Sequence, residues 1–287
     1  GFDMANSVLR GNFDGFPVKA LAFHNIPWIT RGGISFLDTA QQRQQPFFLY
    51  LAPTAIHGPN HFNNLTEDLR HTIAGYQPEV ARFQPDSAAL IEKAKTSCSQ
   101  AEAHRFAGIA HIDHQVGQVI SYLEEAGLYE KTAIIFMADH NIEPGKATCY
   151  EKGTHVPLII RWPGARKQGR QSSLVQNTDL LPTLLNGETD QVRQYAFSEA
   201  GYTRSITDGR YKFIALRYPE TVMQKIMNGG MLQAPNHLNT PRQAHSRIAI
   251  KYFPNYFEPE QFYDLQSDPG SSETWWPTPL TLKKWRR

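Results

Sequence analysis

The sequence predicts an α/β protein: a layered sheet with helices packed on it, joined from about residue 191 to a small antiparallel sheet. Three observations carry this. Residues 47–52 (FFLYLA), 132–137 (TAIIFM) and 156–162 (VPLIIRW) are short apolar runs without polar alternation, the pattern of strands covered on both faces, as in a parallel sheet. Between the first two runs lies a long stretch of helical periodicity. Beyond residue 190 short strand-like pieces alternate with turn residues. Strand, helix, strand, turn, strand is the signature of an α/β layered sheet.

Taken in order, residues 1–27 are rich in Gly, Asn and Pro and read as loop. Residues 29–42 place Ile29, Ile34, Phe36, Leu37 and Ala40 at helical spacing, with Thr30 as a possible cap and Pro46 as a stop. The first apolar run follows and ends in a loop that holds His57 between Pro53 and Pro59. Residues 60–86 form an excursion of mixed polarity containing the acceptor sequon Asn64-Leu65-Thr66, which matters if the protein is secreted. Asp86 can cap the helical pattern that fills residues 86–127. From 101 to 126, Phe106, Ile109, Ala110, Ile112, Val116, Val119, Ile120 and Leu123 fall on one face, and Gly127 fits the terminator. Asp179 stands near the amino end of a short helix in TDLLPTLL. Later pieces at 195–198, 205–207, 211–217 and 261–265 read as strands, with Asp208-Gly209 as a hairpin turn. Residues 220–247 read as an insertion. The division is therefore 1–190 as part of an α/β domain and 191–287 as a smaller α+β subdomain.

Composition sets limits. The 287 residues carry a net charge of +2 with acids and bases intermixed, so nothing marks a nucleic-acid binder, whose basic residues gather on a face. No apolar run approaches a membrane span, and the first residues lack a signal-peptide pattern. Cys98 and Cys149 match no zinc spacing and read as unpaired thiols. His111, Asp113 and His114 sit at helical spacing but fit better as the polar side of the long helix than as a metal site. Trp275-Trp276 reads as packing, and the basic residues from Lys283 to Arg287 as a solvated tail.

The chemistry-bearing residues cluster at strand ends. The run 132–137 ends in Ala138-Asp139-His140-Asn141, followed by Pro144-Gly145-Lys146. In open α/β sheets ligands bind just past the carboxyl ends of strands, and here one strand end and its loop supply a carboxylate, an imidazole and an amine.

At these residues the sequence resembles the sulfatase family of the alkaline-phosphatase superfamily. PFFLYLAPTAIHGP is similar to that family's strand and histidine-bearing loop, and FAGIAHIDHQVGQVISYLEEAGLYEKTAIIFMADHN to the helix and strand leading to its metal motif. GKATCYEKGTHVPLIIRWPG, TDLLPTLL and FYDLQSDPG resemble three further family phrases in the family's order. The resemblance implies an alkaline-phosphatase-like layered sheet with helices on both faces, here incomplete. It implies sulfate-monoester hydrolysis on a sulfated sugar or other small molecule, and an extracytoplasmic location (periplasmic, secreted or lysosomal). It makes Asp139 and His140 one pair of ligands for a calcium ion. It makes Lys146 and His57 substrate-binding catalytic residues, Lys146 contacting the sulfate and His57 helping to protonate the leaving oxygen. Hydrolysis of a sulfate ester drives negative charge onto that oxygen, and a divalent cation, a lysine and a histidine are suited to stabilise and protonate it.

The departures are equally specific. Ala138 and Asn141 replace the family's usual Ser and Gly, Lys152 stands at the first Gly of Tyr-Glu-Gly-Gly, and Thr54 replaces a frequent histidine. The sequence contains no Asp-Asp pair, and neither cysteine lies in the Cys-x-Pro-x-Arg context in which the family's cysteine becomes the formylglycine nucleophile. The expectation is a carboxy-terminal portion of a sulfatase that is inactive alone and binds metal weakly at best. Two rival readings stand beside it: a phosphodiesterase or phosphonate hydrolase of the same superfamily, and a non-catalytic portion that binds sulfated glycans.

Overall fold

A computed structural model describes residues 2–8, 25–57, 65–141, 145–164, 169–186, 193–221, 224 and 252–271. The chain forms two compact units, Gly1–Lys131 and Thr132–Arg287.

The first unit is mostly helical. Helix α1 (Ile26–Gln42) starts earlier than the apolar periodicity indicates, because Asn25 rather than Thr30 is its cap. The Asn25 carboxamide oxygen accepts from the Trp28 amide at 3.1 Å, and its nitrogen donates to the Leu69 carbonyl at 2.8 Å. Pro27 in the first turn suits a helix start, where its missing N–H is no loss. Residues 47–52, expected as a central strand, belong to no strand. Their burial alternates, with Phe48 and Tyr50 exposed and Leu51 lying against Gly33 of α1. The run therefore turns one side to helix α1, while Phe48 on the other stacks on Phe2 with centroids 6.2 Å apart, and it has no ladder partner among the described residues. A two-residue ribbon, β1 (His71–Thr72) with β2 (Gly75–Tyr76), turns at Gly75, whose φ is +100°. A 3-10 helix at Pro78–Phe83 follows, and its Val80 packs with Trp28 and Leu69.

Helix α2 (Ser87–Ser97) is capped by Asp86, which accepts from the Ala89 amide at 3.0 Å. Helix α3 (Gln100–Glu125) ends before Gly127, whose φ of +66° favours glycine. The buried face of α3 is not the expected aliphatic one. It runs through Ala103, Ala107, His111, Gln115 and Leu123, while Ile109 is exposed. The small residues Ala94, Ala103 and Ala107 pack together with Leu65, letting α2 and α3 approach closely. Gln115 and Gln118 donate to carbonyls of Phe83 and Arg82 at the end of the 3-10 helix. Among the described residues no helix is long and apolar enough to cross a membrane.

The second unit holds two sheets. Strands β3 (Ile134–Met137) and β4 (Leu158–Arg161) pair with each other, antiparallel, in the register Ile134↔Arg161 to Met137↔Leu158. The parallel, doubly covered arrangement expected for these runs is not what the described residues form, and Ile159 and Ile160 are exposed. The link of 20 residues between them would have allowed either direction. The antiparallel return is set by contacts inside that link: Ala138 N–H donates to Pro157 O at 3.4 Å and Asn141 N–H to Gly153 O at 3.3 Å. The link contains a one-turn helix, α4 (Glu151–Thr154). Helix α5 (Leu180–Asn186) follows a 3-10 turn in which Asp179 accepts from Gln176 N–H at 2.8 Å and from the Arg193 guanidinium.

The carboxy-terminal sheet forms as expected: β5 (Ala196–Ala200), β6 (Thr203–Thr207), β7 (Tyr211–Leu216) and β8 (Glu260–Asp264), antiparallel in that order. Asp208 accepts from the amides of Arg210 and Tyr211, and Gly209 takes φ +92° at the β6–β7 turn. Ile214, Leu216 and Tyr263 of this sheet enclose Cys149 and Tyr150. The segment before α4 is thus built into the core of the carboxy-terminal sheet. The insertion at 220–247, Trp275, Trp276 and the basic tail fall almost wholly outside the described residues.

Candidate active site

Strand β3 delivers Asp139 and His140 two and three residues past its last residue. Their side chains are 84% and 44% exposed, and the imidazole Nε2 lies 3.3 Å from Asp139 Oδ2. The other ring nitrogen, Nδ1, is 2.7 Å from the Asn141 carbonyl oxygen. A carbonyl can only accept, so Nδ1 carries a proton and Nε2 is left facing the carboxylate. An imidazole nitrogen and a carboxylate oxygen 3.3 Å apart suit a shared cation or a shared proton. The Asp139 carboxylate is a donor that calcium, a binder of six to eight oxygens, accepts, whereas the imidazole nitrogen of His140 is compatible with a divalent cation without specifying calcium. Among the described residues no group of three or more His, Cys, Asp or Glu is placed to hold a metal.

Asn141, which stands where the resemblance expects glycine, has a structural use. Its amide donates to Gly153 O and its side chain to His155 O at 3.0 Å, fastening the end of β3 to α4. Lys146 is half-buried, between Gly145, which is buried, and Ala147, whose φ is +62°. Thr148 holds this bend: both its amide and its hydroxyl donate to the Gly145 carbonyl, at 3.1 and 2.7 Å. Gly145 and Gly153 touch backbone to backbone, so closely that a Cβ on either would collide with the other strand of the loop. Lys152, at the departure from Tyr-Glu-Gly-Gly, is exposed and lies against Gly270 of the FYDLQSDPG turn.

The loop is anchored in the sheet. Tyr150 stacks on Phe253 with centroids 3.8 Å apart, and its hydroxyl donates to Gln261 Oε1 at 2.8 Å. Lys212, 1% exposed on β7, places its ammonium 2.7 Å from Glu151 Oε1 and 2.9 Å from Thr154 Oγ1. Sequence reasoning missed Glu151 and Lys212. The available signal was the alternation of Lys212, Ile214 and Leu216, which puts the lysine on the core side of β7. Burial pushes the Cys149 thiol up to about 11, the reverse of what a nucleophilic thiol needs. His57 belongs to the first unit: its amide closes a turn on the Thr54 carbonyl at 3.0 Å and its side chain is exposed. The other three candidates belong to the second unit, where Asp139 and His140 are brought together and Lys146 is held on the loop fastened to their strand end.

The family model for sulfatases matches residues 29–186, more than half of the chain. The chain belongs to the sulfatase family. This sulfatase-family chain is 26% identical over 263 residues to the ulvan-active sulfatase of Formosa agariphila, a match covering 74% of the chain and 40% of that protein. It is 35% identical over 101 residues to arylsulfatase K of Gallus gallus, covering 33% of the chain and 19% of that protein. The chain thus spans less than half the length of the curated relatives it matches. Solved structures agree on the alkaline-phosphatase-like α/β fold. A Bacteroides thetaiotaomicron sulfatase from a locus for metabolism of multiple glycosaminoglycans has a TM-score of 0.53 at 16% identity, covering 90% of this chain and 55% of its own. A sulfatase from a Pseudoalteromonas species has a TM-score of 0.50 at 18% identity, covering 91% and 53%.

Proposed function

We propose that these residues form part of a calcium-dependent sulfatase that hydrolyses a sulfate monoester on a sulfated sugar or glycan. The observation that carries the reading is the convergence of the Asp139 carboxylate and His140 Nε2 past β3, within the sequence that matches the family. Asp139 and His140 would hold the cation, which when bound supplies electrostatic stabilisation of the anionic ester. Lys146 directs a fixed positive charge at the sulfate oxygens and the oxygen of the departing alcohol. His57 donates the proton that leaves with that alcohol. The nucleophile we assign to a formylglycine in a Cys-x-Pro-x-Arg segment that these 287 residues do not contain, so turnover belongs to a protein that carries both. A relative named as an ulvan-active sulfatase supports a glycan substrate, and an extracytoplasmic location fits the sequon at Asn64.

The test is steady-state hydrolysis of an aryl sulfate by that longer protein. Asp139→Ala and Lys146→Ala should each lower kcat/KM by about a hundredfold or more. Chelation should abolish turnover and added calcium restore it. Unchanged turnover in both variants would remove the assignment, and preference for an aryl phosphate would move the substrate to phosphoryl esters.

A further inference from the structure

We propose that Lys212, in the carboxy-terminal sheet, is a positioning residue for the site: through Glu151 and Thr154 it fixes the loop that carries Lys146 and the strand end that carries Asp139 and His140. As a statement about catalysis this rests on the function proposed above; as a statement about the loop it does not.

The chain of contacts is continuous. The Lys212 ammonium is buried on β7 and reaches the Glu151 carboxylate at 2.7 Å and the Thr154 hydroxyl at 2.9 Å. Those two residues are the first and last of α4. The Thr154 hydroxyl donates to the Tyr150 carbonyl, leaving its oxygen free to accept from the ammonium. A buried ammonium demands a charged or polar partner, so the position of α4 is set by the sheet. From α4 two ties lead to the site. Gly153 packs backbone to backbone on Gly145, next to Lys146. Gly153 O and His155 O receive the main-chain and side-chain N–H groups of Asn141, next to His140. Both halves of the proposed site thus refer to one turn of helix, and that turn refers to one lysine.

Tyr150 is a second anchor of the same loop, but it is held by ring stacking in the core cluster. Removing the Lys212 charge should therefore loosen α4 and its dependants while leaving the sheet folded. Lys212→Met keeps the length of the side chain without the ammonium; Glu151→Gln keeps shape at the other end.

Amide hydrogen exchange on the 287-residue chain tests the mechanical part. In Lys212→Met or Glu151→Gln, amides in residues 138–149 should exchange at least about tenfold faster, while those of β5 and β6 keep their rates. Unchanged exchange in 138–149 would overturn the proposal. So would loss of protection throughout the sheet in both variants, which would make the pair general cement. Kinetics of the longer protein test the catalytic part. Lys212→Met should lower kcat by about tenfold with little change in KM, and should cost less in a Lys146→Ala background, where only the tie to the Asp139 and His140 strand end remains to be lost. Equal losses in both backgrounds would refute action through Lys146. A wild-type protein without sulfate hydrolysis would defeat the proposed function, yet the exchange result would still decide whether Lys212 holds the loop.

Discussion

A Cβ on Gly153 would meet the carbonyl oxygen of Gly145 and the backbone and hydroxyl of Thr148, while the neighbouring Lys152 projects to the surface. Of the two positions in the Tyr-Glu-Gly-Gly phrase, this chain keeps the glycine whose missing side chain is needed and varies the other. Gly153→Ala should destabilise the chain by at least about 2 kcal/mol through overpacking. Lys152→Ala should stay within about 0.5 kcal/mol; urea denaturation distinguishes them, and equal effects would contradict the close approach. His114 gives a pH dependence. Its desolvation on α3 lowers its pKa, against an opposing pull from Asp113. Below the unfolded value of about 6.5 the unfolded chain takes up a proton that the folded chain resists, so this residue costs stability as pH falls. His114→Asn should narrow the gap between the melting temperatures at neutral and mildly acidic pH; an unchanged gap would contradict it.

At the scale of elements, the ends set by side chains carry measurable weight. Asn25 both caps α1 and donates to Leu69 O, so Asn25→Ala should cost about 1–2 kcal/mol in urea denaturation. This element also marks a limit of reading from sequence. The apolar spacing of α1 becomes regular only at Ile29, whereas its start is fixed by Asn25 and Pro27, four and two residues before that pattern begins. Elements whose cause is local were legible: the Asp86 cap, the Gly127 stop, the Asp208-Gly209 turn and the four strands of the carboxy-terminal sheet. Elements whose cause lies elsewhere in the chain were not. Apolarity in 132–137 and 156–162 identifies strands but not direction, which is settled by Asn141 and Ala138 reaching residues of the returning segment. Alternating burial in 47–52 arises from packing on Gly33, and the inward face of α3 from alanines that admit α2. At the candidate site, Asp139, His140, Lys146 and His57 could be named from motif order. For Lys212 the alternation gives its core-facing side but not its partner, since Glu151 lies 61 residues away.

At the scale of the whole molecule, the sulfatase-family segment and the carboxy-terminal sheet meet at Tyr150 and Glu151, inside one compact unit. The sheet is therefore part of what shapes the loop of Lys146. Neither cysteine of these residues lies in the Cys-x-Pro-x-Arg context of a formylglycine nucleophile. Cys149 is enclosed by Tyr150, Ile214 and Tyr263, with its thiol driven up to about 11 by burial. At neutral pH a thiol so shifted is almost wholly protonated, and it has no path to an ester in solvent. Cys98 ends helix α2 and turns its sulfur back to the Ala94 carbonyl at 3.2 Å. Neither can replace an activated nucleophile, whatever cation Asp139 and His140 recruit. The 287 residues alone should release no alcohol from an aryl sulfate, with or without calcium, and Cys149→Ala should leave that baseline where it is. Product formed above the rate in buffer, and lost in Cys149→Ala, would reverse the assignment of the nucleophile to a segment outside these residues.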